Sequence, residues 1–134
     1  MFITKKSIIG IIKLAGIIST ESRLGSRGGL NLNDLSDSIT KAFSFKNIKA
    51  IALLVNSPGG SPVQSALIAN RIRDLAKEKE IPVYCFIEDL AASGGYWLSC
   101  AADKIYAMES SIIGSIGVIT SGSVSYTHLT LPTK

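Results

Sequence analysis

The chain has 134 residues, of which 46% are hydrophobic and 18% are charged. This length and composition are typical of one globular domain and exclude disordered, collagen-like and coiled-coil proteins. The net charge is +4, and the excess of Lys and Arg lies within residues 1–49. Because no aromatic residues alternate with these basic ones, the charge predicts no nucleic-acid binding. It favours a solvated surface over a peripheral contact with anionic membranes.

The N-terminal residues combine lysines with an apolar run, as a signal sequence does. Lys13 divides that run into pieces too short to cross a bilayer, so no transmembrane helix is predicted. The β-branched residues 8–14 instead favour a buried strand over a signal anchor. Two cysteines, Cys85 and Cys100, are too few for a disulfide framework, and no Cys/His cluster predicts a metal site. Both stand among apolar residues, which predicts small buried side chains.

A loop is predicted over residues 21–30, because Gly, Ser and Arg occur there without apolar periodicity. A helix is expected to begin near Asn33, with Asn33 as its cap and Asp34 and Asp37 in its first turn. Its apolar face comprises Leu35, Ile39, Ala42 and Phe43.

Residues 50–55 form a short apolar run without alternation, which predicts a strand covered on both faces. A turn follows at residues 56–60. The next helix has Ser61 as its cap, Pro62 as its first residue and Gln64 completing a capping box. Its apolar stripe is Ile68, Ile72 and Leu75, and it ends before Ile81-Pro82.

A third strand is predicted at residues 83–87, a helix at 96–102 and a short strand at 104–107. The β-α-β-α-β order predicts an α/β fold with a mainly parallel sheet and right-handed crossovers. Residues 123–134 hold three Thr, the only His and no acidic residue. They resemble translated vector sequence, so we expect the domain to occupy residues 1–122 and the rest to be a non-native tail.

Two glycine-rich turns follow two of the apolar strands, at residues 57–60 and 93–95. The carboxyl ends of neighbouring parallel strands meet where open α/β sheets bind ligands, and each turn precedes a helix N-terminus. Acyl transfer needs a hydroxyl nucleophile and fixed N–H donors, each of which stabilises the oxyanion by about 3 kcal/mol. Ser93 is the candidate nucleophile. Taken alone, however, a Ser-Gly-Gly sequence more often marks a helix cap.

Four segments stand in order along the chain: VNSPGGS at 55–61, AASGGY at 91–96, AADKI at 101–105 and IGSIGV at 113–118. Together they resemble the signal peptide peptidase A (SppA/SohB-type) family of bacterial serine peptidases. The resemblance covers residues 8–121. It implies a ClpP/crotonase-like fold that is incomplete at the C-terminus of this chain.

The resemblance implies that Ser93 is the nucleophile and that Gly60 and Gly94 form the oxyanion hole through their N–H groups. Gly59 and Gly95 shape the two turns. The family uses a Ser-Lys dyad, in which a desolvated lysine of lowered pKa is the general base. That lysine follows the last of the four segments, so it is expected to be absent from this chain. No cofactor or metal is implied.

Other titratable residues are not assigned to catalysis. Lys104 belongs to the AADKI segment, which the resemblance gives a packing role. Lys134 and His128 lie in the unusual tail, where a solvated position is expected. Glu88 and Asp89 precede the nucleophile turn and are expected to orient a loop or cap a helix.

The implied function is that of a serine endopeptidase fragment acting on cleaved signal peptides or other membrane-associated peptides. The full-length protein is expected to form a homo-oligomer, and this chain to be inactive alone without its base. A crotonase-type enzyme acting on acyl-CoA thioesters is one alternative, although no carboxylate base or CoA-adenine loop is evident. A non-catalytic assembly module is the other.

Overall fold

The computed structural model describes residues 6–21 and 29–115. The predicted alternation of strands and helices is confirmed there. The elements in chain order are β1 (Ile8–Ala15), α1 (Leu32–Ser44), β2 (Ile48–Ser57), α2 (Pro62–Lys79), β3 (Val83–Ala92), α3 (Gly94–Ser99), β4 (Lys104–Ala107) and β5 (Ile112–Gly114). His128, Lys134, residues 116–118 of the last family-like segment and the predicted boundary at residue 122 lie outside the described residues.

The strands form one parallel sheet, as predicted, and their order in it is β1-β2-β3-β4. The short β5 pairs with the last residues of β3, where Leu90 lies opposite Ile112. Each successive strand among the first four is added on the same side of the one before. With right-handed crossovers this order places α1, α2 and α3 on one face of the sheet.

The core lies between that face and the three helices. Ile39 and Phe43 of α1 and the predicted stripe of α2 are buried against alternate residues of the central strands. Burial of each large apolar side chain contributes about 1.5–3 kcal/mol. The fully buried set includes Leu14, Ile18, Ile51, Leu53, Val55, Ile68, Ile72, Val83 and Leu98.

The opposite face of the sheet is open within the described residues, so the prediction of strands covered on both faces is wrong for this part of the chain. In β2, buried residues alternate with half-buried ones. On β1, Ile9 and Ile11 are 61% and 65% exposed. Phe86 and Tyr106 stack on the same face with ring centroids 5.3 Å apart. An apolar run in the sequence indicates that both faces of a strand can be buried, but it does not show which segment of the protein buries them.

The starts of α1 and α2 each differ from prediction in one detail, and α3 begins at Gly94 instead of residue 96. Asn31, not Asn33, caps α1, because its Oδ1 accepts the Asp34 N–H at 2.9 Å. Ser61 caps α2 as predicted, since its Oγ accepts the Gln64 N–H at 3.3 Å. The Gln64 side chain does not close a capping box: it accepts the Leu32 N–H at 2.9 Å and joins the starts of α1 and α2.

The AADKI segment has the packing role that was expected of it. Asp103 accepts the Val83 N–H at 2.8 Å and pairs with Arg73 at 3.0 Å, so it fixes the start of β3. The Val83 N–H and the Arg73 guanidinium lower the pKa of the Asp103 carboxyl. Of the cysteines, Cys85 is buried as expected, whereas Cys100 is exposed. Among the described helices, none is both long and apolar enough to cross a membrane.

Candidate active site

The two glycine-rich turns meet at the carboxyl ends of β2 and β3. Ser57, the last residue of β2, lies opposite Ala91 of β3. A Cβ atom at Gly59 would lie 2.8 Å from Ser93 Cβ and 2.8 Å from the Gly94 nitrogen. Gly59 also has a φ of +97°. Only glycine fits this position, and the structure brings the predicted residues together.

Ser93 has a backbone conformation that side-chain-bearing residues rarely adopt, with φ 51° and ψ −120°. It precedes α3, yet its hydroxyl makes no capping hydrogen bond, unlike that of Ser61 before α2. Its N–H donates to the Gly114 carbonyl at 2.8 Å, and its own carbonyl accepts the Tyr96 and Trp97 N–H groups. These bonds hold a conformation that costs about 1–3 kcal/mol. A strained serine between strand and helix with a free hydroxyl is typical of a nucleophile.

The N–H of Gly60 points toward the Ser93 side of β2. The Ile18 N–H donates to the Gly59 carbonyl at 2.9 Å, and the Ser61 N–H donates to the Ile18 carbonyl at 2.8 Å. In parallel pairing these two bonds flank Gly60, whose own N–H therefore faces away from Ile18. Since β1 and β3 lie on opposite sides of β2, the Gly60 N–H faces the side of β3, and Ser93 directly follows that strand.

Gly94 supplies a second N–H beside Ser93. As the first residue of α3 it has no acceptor within the helix. Within residues 6–21 and 29–115, nothing else accepts the N–H of Gly94 or of Gly60. The turn is tightly packed, because a Cβ at Gly95 would lie 3.1 Å from Ser57 Cβ. In the part of the chain that the structure describes, two N–H groups without an acceptor thus lie beside a hydroxyl without a hydrogen bond, an arrangement suited to stabilising an oxyanion.

None of the described lysines forms a hydrogen bond or ion pair with Ser93. Lys104 lies opposite Tyr84, near the start of β3, whereas Ala92 is the last residue of that strand, eight positions further along. Even with the bulge between Ile87 and Ala91, this separation is on the order of 20 Å, too far for a general base. Asp89 accepts a hydrogen bond from Asn56 at 3.0 Å, and the Glu88 carbonyl accepts one from Ser111, which agrees with an orienting role.

The described residues offer no other evident catalytic group. They hold no group of three His, Cys, Asp or Glu side chains that could bind a metal ion. Loss of solvent around the sulfur raises the pKa of the buried Cys85 thiol and also of the Cys100 thiol, although Cys100 is exposed as a residue. A raised pKa disfavours the thiolate form needed for nucleophilic attack.

Sequence reasoning missed three contributors to the site: Ser57, Ile18 and Gly114. Ser57 stands within the VNSPGGS segment, directly between a buried strand and the glycines, and that position was the available signal. The pairing of Ile18 with Gly60 and the bond from Ser93 to Gly114 are tertiary contacts. Contacts between such distant segments cannot be inferred from the local sequence pattern.

Residues 75–130 match the model of Peptidase family S49. A putative signal peptide peptidase SppA of Enterococcus faecium is 42% identical over 120 residues, which are 90% of this chain and 33% of that protein. A Na(+)/H(+) antiporter NhaA of Brucella melitensis is 48% identical over 112 residues, 84% of this chain and 15% of that protein. The chain therefore spans a third or less of the length of these relatives. The antiporter name describes the Brucella protein and not this chain.

Two solved structures share the fold. The 1510-N membrane-bound stomatin-specific protease has a TM-score of 0.67 and 22% identity, covering 91% of this chain and 55% of its own. ClpP1 of Listeria monocytogenes has a TM-score of 0.50 and 22% identity, covering 69% of this chain and 46% of its own. These likenesses confirm the predicted ClpP-like fold. The sequence comparisons show a match to Peptidase family S49 over residues 75–130 and a similarity over most of the chain to an SppA-type peptidase, the kind of peptidase that its motifs resemble.

Proposed function

We propose that this chain supplies the nucleophile and oxyanion hole of a serine peptidase, with Ser93 as nucleophile and Gly60 and Gly94 as N–H donors. The observation that carries the proposal is the strained backbone of Ser93 combined with a hydroxyl that caps nothing. A structural cap would have the opposite combination, as Ser61 does. Strain that serves no packing purpose is most often found at functional sites.

The proposed reaction is acyl transfer. Ser93 Oγ forms a bond to the carbonyl carbon of the scissile peptide and gives its proton to a general base. The carbonyl oxygen becomes an oxyanion that accepts hydrogen bonds from Gly60 and Gly94. Loss of one such donor typically lowers kcat about 10²–10³-fold. The C–N bond then breaks, the amine leaves with the proton, and water hydrolyses the acyl-serine ester.

The general base is proposed to come from outside the 134 residues, as a lysine of a Ser-Lys dyad. Support comes from the family match and from the placement of the described lysines, several of which lie at the amino ends of the strands. Without a base, the hydroxyl stays protonated at neutral pH, so hydrolysis of an ordinary peptide bond by this chain alone should be negligible. Strongly electrophilic phosphonates and boronic acids do not need that base and should still form an adduct with the hydroxyl.

The substrate is proposed to be an extended apolar peptide, such as a cleaved signal peptide or a membrane-associated segment. Exposed apolar side chains lie close to the site: Ile17 precedes Ile18, which pairs with Gly60, and Ile112 and Ile113 belong to β5, whose Gly114 carbonyl accepts the Ser93 N–H. The open sheet face, with Ile9, Ile11 and the Phe86–Tyr106 stack, supports the further proposal that the full-length protein is a homo-oligomer.

Labelling with an activated phosphonate, followed by mass-spectrometric mapping, tests the proposal. The label is expected on Ser93, absent after Ser93→Ala and retained after Ser61→Ala, which changes a true cap. No labelling of Ser93 together with saturable binding of an acyl-CoA thioester would favour the crotonase-type alternative. A fluorogenic peptide tests the missing base: turnover by this chain that Ser93→Ala abolishes would show that the base lies within it.

A further inference from the structure

Ser57 lies where three segments of the candidate site meet. Its side chain is fully buried at the end of β2. Its Oγ donates a hydrogen bond to the Gly16 carbonyl at 2.6 Å and accepts one from the Gly59 N–H at 3.1 Å. One hydroxyl thus joins the end of β1 to the glycine turn.

The same residue lies directly behind the nucleophile turn. A Cβ at Gly95 would lie 3.1 Å from Ser57 Cβ, so the backbone after Ser93 packs on Ser57 without an intervening side chain. Ser57 therefore contacts both the turn that carries the Gly60 N–H and the turn that carries Ser93.

Gly59 is fixed on both sides. Its carbonyl accepts the Ile18 N–H at 2.9 Å, and its N–H is held by Ser57 Oγ. The peptide group after Gly59 is the one that carries the Gly60 N–H. Because glycine has little backbone preference of its own, these two hydrogen bonds decide where that N–H points.

We propose that Ser57 is a positioning residue for the oxyanion hole and acts through Gly59 on the direction of the Gly60 N–H. The inference rests on the proposed function, since it concerns the donor of the same site. Ser57 touches no substrate. Removing its hydroxyl frees one side of Gly59, and a donor displaced by a fraction of an ångström stabilises an oxyanion far less well.

The test compares the whole chain with its Ser57→Ala variant, using an apolar peptide boronic acid and the matched peptide carboxamide. The boronic acid forms a tetrahedral adduct with the nucleophile and needs the oxyanion hole, whereas the carboxamide reports substrate binding alone. Ser57→Ala should weaken boronic acid binding about 10- to 100-fold and change carboxamide binding less than about twofold. Ser99→Ala is the matched control, because Ser99 is equally buried but its hydroxyl bonds to the Gly95 carbonyl within α3 and to the Cys85 thiol, and not to Gly59 or Gly60. It should change neither affinity.

Equal loss of both affinities in Ser57→Ala would overturn the proposal, because it would indicate general damage to the fold. Amide hydrogen exchange supplies a readout independent of reactivity. The Gly59 N–H should exchange faster in Ser57→Ala while core amides of β3 keep their wild-type rates. Unchanged exchange at Gly59 would overturn the positioning role. Failure of the proposed function looks different: the boronic acid would then form no adduct with Ser93 in the wild-type chain.

Discussion

Replacing Ser93 by glycine should stabilise the protein while it removes the candidate nucleophile. The serine is held at φ 51° and ψ −120°, a conformation that costs a side-chain-bearing residue about 1–3 kcal/mol. Glycine adopts it without steric conflict but loses about 0.5–1 kcal/mol more backbone entropy on folding. No capping hydrogen bond is lost. The expected net gain is about 1 kcal/mol, or about 3–4 °C in Tm for a chain of this length.

Thermal unfolding followed by circular dichroism measures the effect, with two further variants as references. Ser93→Ala keeps the strain and loses no bond, so its Tm should stay close to that of the wild type. Ser61→Ala removes a real cap, bonded to the Gln64 N–H, and should cost about 1 kcal/mol. If Ser93→Gly lowers Tm as Ser61→Ala does, Ser93 is a structural residue and the reasoning is refuted.

Three other variants test separate parts of the structure. Gly59→Ala should cost about 2 kcal/mol or more and abolish phosphonate labelling, since its methyl group would lie 2.8 Å from Ser93 Cβ; normal folding and labelling would contradict the proposed closeness of the turns. Folding lowers the pKa of the Asp103 carboxyl, so the ionised carboxyl stabilises the folded state at pH values above its ordinary pKa of 3.8. This stabilisation is lost as the pH falls through the lower pKa of the folded state. Denaturant titrations at several pH values should therefore show that the free energy of unfolding falls less at acid pH for Asp103→Asn than for the wild type. The same pH dependence in both proteins would show that this carboxyl does not contribute to the pH dependence of stability. On the open face, Ile11→Lys should reduce self-association in analytical ultracentrifugation without lowering Tm, whereas unchanged association would exclude this face as the contact.

The sequence predicted the fold well because its strongest signals are local. Apolar runs bounded by glycine and proline marked β2 and β3, and Ser61-Pro62 marked the start of α2. The error at Asn33 arose because Asn31 and Asn33 are both good caps, and only the chain path chooses between them. The open sheet face was missed because strand composition does not show which layer of the fold covers it.

The candidate site was predictable in part for the same reason. Ser93, Gly59, Gly60 and Gly94 belong to local motifs, and parallel topology alone brings their turns together. The strain at Ser93 and the double role of the Ser57 hydroxyl depend on contacts with distant segments. Such contacts appear only in three dimensions.

A crystal structure of the chain bound to an apolar peptide boronic acid tests the central claim most directly. Boron should be bonded to Ser93 Oγ, with one boronate oxygen about 3 Å from both the Gly60 and Gly94 nitrogens. A boronate attached elsewhere, or one on Ser93 whose oxygens lie away from both N–H groups, would contradict the assignment of nucleophile and oxyanion hole.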